Sequence, residues 1–129
     1  MIAPSVTNSQ RRSNMTLVQV SQAQGNMPVT VFQLQDRVNL GNYKELEAAA
    51  KEAYENGTRD LVIDLSKSDS LTSIGIRALV IIHKLLSTDN KKHFKMAGVS
   101  APIRDMLDVA GITQFIEIYD TVDEAVAAF

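Results

Sequence analysis

The side chain best placed for chemistry is the hydroxyl of Ser73, within Leu71-Thr72-Ser73-Ile74-Gly75-Ile76-Arg77. It follows a short apolar run, Leu61-Val62-Ile63-Asp64-Leu65, and opens a long apolar segment of helical spacing that ends at Leu86. A strand is therefore expected to hand over to a helix near this serine. The first amides of a helix lack partners within it, and the helix dipole favours negative charge there. A phosphate on Ser73 would be tolerated by the fold and would still change a surface. That is the chemistry of a switch, in which the serine accepts a phosphoryl group and catalyses nothing.

Catalysis would need converging acid, base or nucleophilic groups. His83 and His93 are not spaced as metal ligands, and both read as structural, one on a helix flank and one where a strand begins. There is no Walker loop, no G-x-G-x-x-G and no G-x-S-x-G. The absence of cysteine excludes disulfides, thiolate nucleophiles and cysteine zinc sites. Asp36 and Asp64 do not reproduce the acidic pair and acceptor of a receiver domain. The sequence thus predicts a non-enzyme with no catalytic residue, no metal site and no cofactor.

On a wheel of 3.6 residues per turn, Gly75, Leu79, Ile82 and Leu86 centre one face of the helix, flanked by Ala78, Leu85 and His83. This face should pack on a sheet. The opposite side carries Ser73, Arg77, Val80, Ile81 and Lys84, with Ile74 and Ile76 at its edges. An apolar strip ringed by Arg77 and Lys84 is either a partner surface or is covered by another helix of the same domain. Gly75 is costly in a first turn. Close packing against it, from within the domain or from a partner, would account for it.

The elements that position this helix follow from pattern. Residues 1–14 are polar and patternless, as a disordered tail would be, and Met15 is a candidate start. Thr16–Ser21 and Pro28–Gln35 read as two strands of a hairpin, turning at Gln24-Gly25-Asn26. Asn42, with Glu45 three residues on, reads as a capping box. The helix that follows has Leu46, Ala49, Ala50, Ala53 and Tyr54 on its apolar face and stops at Asn56-Gly57. Arg59–Leu65 should be a central strand, because it is apolar on both faces except at Asp64. Lys92–Ala97 and Phe115–Tyr119 are two more strands. Between them lies a helix over Ala101–Val109, begun by Ser100 and Pro102 and ended by Gly111. A last helix runs from Val122, capped by Asp120 or Thr121. The order β-β-α-β-α-β-α-β-α predicts one α/β domain over residues 15–129, with about five strands in a mixed, mostly parallel sheet and about four helices.

The chain has 129 residues, 45% apolar and 22% charged, with a net charge of −2 and a pI near 5.6. These values suit one soluble domain with a core. Lys91-Lys92 with Lys95 is the densest basic stretch and reads as a solvated strand start, so no nucleic-acid partner is expected. The longest apolar run, Ala78–Ile82, is too short to span a bilayer, and no secretory signal is visible. A cytoplasmic protein without a membrane partner is the expectation.

Taken in order, these pieces resemble the anti-sigma factor antagonists, the bacterial STAS domains. The resemblance rests on Asp64-Leu65-Ser66, the polar loop, Leu71-Thr72-Ser73-Ile74-Gly75-Ile76 and the apolar helix after it. It continues through Leu34 to Leu46 on one side. On the other it takes in Lys95-Met96-Ala97-Gly98-Val99-Ser100, Ile103 to Leu107, Ala110-Gly111-Ile112 and Ile116 to Ala125, so that it covers about residues 15–128. In that family the serine two before the glycine is phosphorylated, which implies Ser73 as phosphoacceptor. The family usually has Asp-Ser-Ser-Gly or Asp-Ser-Thr-Gly; this chain has Thr72-Ser73-Ile74-Gly75. Asn39 stands where an Asp is common. The resemblance implies a binding protein that grips an anti-sigma serine kinase, a histidine-kinase-like ATPase, while Ser73 is unphosphorylated. Asn39, Thr72, Ile74, Gly75, Arg77, Ile81 and Lys84 would meet that partner. A metal-dependent serine phosphatase would restore the hydroxyl. The alternative is a STAS-like scaffold or accessory subunit of a transport or stress-sensing assembly, in which Ser73 is never phosphorylated.

Overall fold

The computed structural model describes residues 17–87, 89 and 92–129. The expected tail over residues 1–14 and the candidate start at Met15 lie outside the described residues. Alternating apolar residues give the hairpin, β1 (Val18–Gln24) with β2 (Pro28–Leu34), antiparallel with Val18 opposite Leu34 and Val20 opposite Phe32. β1 runs through Gln24, three residues beyond the predicted end, because its pairing with β2 continues to Pro28. Next come α1 (Tyr43–Glu55), β3 (Leu61–Asp64), α2 (Ser73–Leu86), β4 (Phe94–Ala97), α3 (Ala101–Val109), a 3-10 turn (Ile112–Gln114), β5 (Glu117–Tyr119) and α4 (Val122–Ala127). The sheet order is β1-β2-β3-β4-β5, and every pairing after the hairpin is parallel. The expected α/β architecture, mixed and mostly parallel, is the observed one, with β3 in the centre and all four of its residues buried.

Two cores follow from the strand alternation. Phe32, Leu34, Leu61, Ile63, Leu65, Phe94 and Met96 join Leu46, Leu79, Ile82, Ile103 and Leu107 on the face covered by α1, α2 and α3. Val29, Val31, Val62 and Ala97 meet Ala125 and Val126 of α4 on the other face. The predicted apolar face of α1 is the observed one: Leu46 and Ala50 are buried, and Ala49, Ala53 and Tyr54 pack beside them.

The capping box at Asn42 and Glu45 does not form. Asn42 is at the N-cap, but its side chain makes no capping bond. Its Oδ1 accepts instead from the Asn39 amide at 2.8 Å, and its Nδ2 donates to the Arg37 carbonyl at 3.1 Å. The Glu45 carboxylate accepts the Leu17 amide. Asn42 is taken by the backbone of its own turn and Glu45 by a tertiary partner, and both compete with the cap. The capping box occurs at α4, where Thr121 and Glu124 satisfy each other's backbone amides at 3.1 and 3.2 Å. Lys95 is also not solvated. It is 3% exposed, on the α4 face, with Nζ 2.6 Å from Glu117 Oε1 and 4.7 Å from the ring centre of Phe129.

Both histidines pack structurally, as their spacing suggested. His83 lies 4.7 Å from the Phe115 ring, and burial together with the neighbouring Lys84 pushes its pKa down. His93 sits where β4 begins. Its Nδ1 is 2.7 Å from Asp60 Oδ1 and its Nε2 is 3.0 Å from Asp89, and these two hydrogen-bonded carboxylates raise its pKa.

Candidate phosphoacceptor and docking site

Ser73 is the first residue of α2, at the C-terminal end of the central strand, and is exposed. The residue before it makes the helix start. Thr72 is the N-cap, in extended backbone at φ −95 and ψ 166, and its Oγ1 accepts the Gly75 amide at 3.1 Å. The same hydroxyl donates to the Val38 carbonyl at 2.6 Å. Thr72 therefore both caps α2 and ties it to the loop that follows β2. Of the hydroxyls from Ser66 to Ser73, Ser68 is buried and donates to the Asp36 carbonyl at 2.9 Å, and Ser70 accepts from Arg37 at 3.4 Å. Only Ser66 and Ser73 are exposed, and of these two only Ser73 stands at a helix start, where the unpaired amides and the dipole suit a dianion.

The loop beside Ser73 is built by its asparagines. Asn39 Oδ1 accepts the Gly41 amide at 2.8 Å, and the Asn39 carbonyl accepts the amides of Asn42 and Tyr43 at 3.2 and 3.0 Å. With the Asn42 bonds described above, this makes a tight turn, Val38–Asn42. Asn39 thus holds the turn together with its side chain and is itself half-buried. Leu40, at the tip of the turn, is 75% exposed. Sequence pattern missed Leu40, because a lone leucine among turn residues has no period to read. An apolar side chain flanked by Asn39 and Gly41 was the available signal.

Gly75 owes its place to packing within the domain. A Cβ there would lie 2.7 Å from Leu71 Cδ1 and 3.2 Å from Val38 Cβ. The loop and α2 approach each other at the point where Thr72 ties them. A second glycine shapes the floor of this end. Gly98 has φ +68, and a Cβ on it would lie 2.8 Å from Asp64 Oδ1. The Asp64 carboxylate is buried and accepts from Gln33 Nε2 at 3.1 Å and from the Ser66 amide at 2.9 Å, which fixes the exit of β3.

The outer side of α2 is only partly the strip expected from the wheel. Ser73, Arg77, Ile81 and Lys84 are exposed, Ile81 by 43%, and Ile74 is half-buried. Val80, expected to be exposed, is half-buried and packs with Ile76 against the core. α1 lies alongside α2. The structure therefore brings Ser73, Ile74, Arg77, Ile81 and Lys84 to one surface. Asn39 belongs to the loop tied to the start of that surface, while the hydroxyl of Thr72 and the face of Gly75 are turned to that tie.

Comparison with known proteins agrees with the fold. A family model described as STAS domain matches residues 20–125. The chain belongs to the STAS domain family. A Bordetella bronchiseptica protein named as an anti-sigma factor antagonist, BtrV, is 26% identical over 96 residues, covering 74% of this chain and 82% of that protein. Two solved structures share the fold. An anti-sigma factor antagonist from Mycobacterium paratuberculosis superposes with a TM-score of 0.75 at 23% identity, covering 86% of this STAS domain chain and 91% of the other. The Bacillus cell fate determinant SpoIIAA in its phosphorylated form superposes with a TM-score of 0.65 at 13% identity, covering 86% and 97%. No helix among the described residues is long and apolar enough to cross a membrane.

Proposed function

We propose that this STAS domain is an anti-sigma factor antagonist whose hold on an anti-sigma serine kinase is ended by phosphorylation of Ser73. The observation that carries the reading is the isolation of the Ser73 hydroxyl: it is exposed at the start of α2 while Ser68, Ser70 and Thr72 are engaged within the domain. The likeness to proteins named anti-sigma factor antagonists supplies the class of partner.

Unphosphorylated, the exposed side of α2 and the Val38–Asn42 turn grip the kinase, a histidine-kinase-like ATPase. Ile74, Ile81 and Leu40 supply apolar contact, and Arg77 and Lys84 supply charge at the rim. The kinase then moves the γ-phosphoryl of ATP to Ser73 Oγ. The hydroxyl proton passes to the kinase's base, and ADP leaves. The chain contributes an acceptor and no catalytic group. The product carries roughly −1.5 to −2 charge next to the apolar contact. The fold accepts this charge at a helix N-terminus, but the interface does not, because its apolar groups would have to desolvate it. Arg77, one turn along on the same exposed side, is at the spacing that lets it pair with the phosphate, which draws it away from the partner. A metal-dependent phosphatase returns the hydroxyl by hydrolysis, releasing inorganic phosphate.

The test is incubation with the cognate kinase and ATP, followed by intact mass and peptide mapping. One phosphoryl group on Ser73 is the expected result. Phosphate on Ser66 with Ser73 bare would move the switch to the other exposed hydroxyl. No phosphate, with the complex intact, would favour the scaffold-subunit reading.

A further inference from the structure

The two edges of the sheet are finished differently. β5 ends one side with three residues, and its Glu117 is held by Lys95 at 2.6 Å and Lys92 at 3.7 Å. A strand that short and that charged is a poor template for another strand. β1 ends the other side with seven residues, paired one-to-one with β2 along its whole length. Among the described residues no strand pairs with its outer side. Val18-Gln19-Val20-Ser21-Gln22-Ala23-Gln24 contains no charge, no proline and no bulge. Among the described residues, none of the usual devices that keep an edge from pairing is present. Gln19 to Gln22 are exposed, and the apolar Val20 is 52% exposed, as is Met27 by 46% just beyond the strand. Beside β1 a cleft of about 580 Å³ opens between the hairpin and α1, lined in part by Val20, Met27, Phe32, Ala49 and Ala53.

We infer that β1 is a self-association edge, through which a second copy of this chain pairs antiparallel about a two-fold axis and joins two five-stranded sheets into one. Centring the axis on Ser21 uses the whole strand. Val18 then meets Gln24, Gln19 meets Ala23, Val20 meets Gln22, and Ser21 meets itself. A two-fold contact confronts a patch with its own copy, so any charge in β1 would face or neighbour its like. The neutrality of all seven residues is what such a contact needs. On the α1 face, Gln22 of one copy covers Val20 of the other and closes the mouth of the cleft over that side chain. The docking side of α2 stays free, because α2 packs on α1 and β4, which leaves α1 between it and β1.

The full chain should be followed by light scattering after size exclusion, from low micromolar concentration upward. The mass is expected to rise from 14.2 kDa towards twice that value. Ser21→Lys and Ser21→Glu should each stay monomeric, with an unchanged circular dichroism spectrum, and an equimolar mixture of the two should recover the doubled mass. As a check that needs no variant, the amides of Val18–Gln24 in the unaltered chain should exchange more slowly as concentration rises. A wild-type chain that stays monomeric throughout, with exchange independent of concentration, would overturn the inference and point to residues 1–16 as the cover of the edge. A dimer that Ser21→Lys leaves intact would overturn it as well.

Discussion

At the scale of single residues, the site divides into side chains that hold and side chains that offer. Thr72, Ser68 and Asn42 spend their polar groups on the backbone of neighbouring loops. Ser73, Leu40, Arg77, Ile81 and Lys84 face solvent. Substitutions of the second group should therefore separate binding from folding. Leu40→Ala should change stability by less than about 0.5 kcal/mol, as expected of an exposed position. It should weaken kinase binding at least about tenfold if Leu40 is an anchor, which is about 1.4 kcal/mol. Thermal melts and a binding titration read the two effects. Ile81→Asp should likewise leave the circular dichroism spectrum unchanged and abolish the complex in a pull-down, since desolvating a carboxylate in an apolar contact costs several kcal/mol. A folded Ile81→Asp chain that binds normally would place the partner elsewhere. Ser73 itself was legible in the sequence because a hydroxyl at a strand-to-helix handover is a local pattern. Leu40 was not legible, because its exposure is decided by a turn whose bonds come from Asn39 and Asn42 together.

At the scale of elements, the link between the Val38–Asn42 turn and α2 is the feature that makes one surface of two segments. Gly75→Ala tests it. Helix propensity alone favours alanine by up to about 1 kcal/mol. The added methyl would meet Val38 Cβ at 3.2 Å and the buried Leu71 at 2.7 Å. Overpacking of this kind costs about 1–3 kcal/mol, so a net loss of stability is expected in a denaturant titration, opposite in sign to the propensity. Most of the element plan could be read from period and punctuation: α3 begins at Ala101 and ends at Val109 as its proline and glycine signals indicate. What period could not supply was which neighbour covers which flank. Val80 shares a wheel position with exposed residues and yet packs against the core. The capping pattern at Asn42 and Glu45 failed because other partners took both side chains: the nearby Asn39 amide and Arg37 carbonyl took Asn42, and Leu17, distant in sequence, took Glu45. Lys95 looked like a surface lysine until its partner Glu117, on another strand, was placed beside it.

At the scale of the whole molecule, Ser73 lies at one end of the sheet and the titrating cluster of His93 at the other. His93 has its pKa raised above 6.5 by Asp60 and Asp89. Its contribution to stability is complete below that value and is lost as pH rises through the higher folded value. His83 has its pKa lowered, so its contribution is present above 6.5 and is lost as pH falls through the folded value. The melting temperature should therefore decline as pH rises above 6.5 through the raised His93 value, and His93→Gln should flatten that decline. Kinase binding should not follow it, because β3 separates Asp60 from the end that carries Ser73. The central claim is that phosphate on Ser73 changes a surface and leaves the fold alone. The most direct measurement is a titration of the cognate kinase with unmodified chain and with chain phosphorylated at Ser73, alongside melts of both. Phosphorylation is expected to weaken binding by at least about tenfold, while stability shifts by less than about 1 kcal/mol. Equal affinity for the two forms, or loss of binding only through unfolding of the phosphorylated chain, would contradict the account.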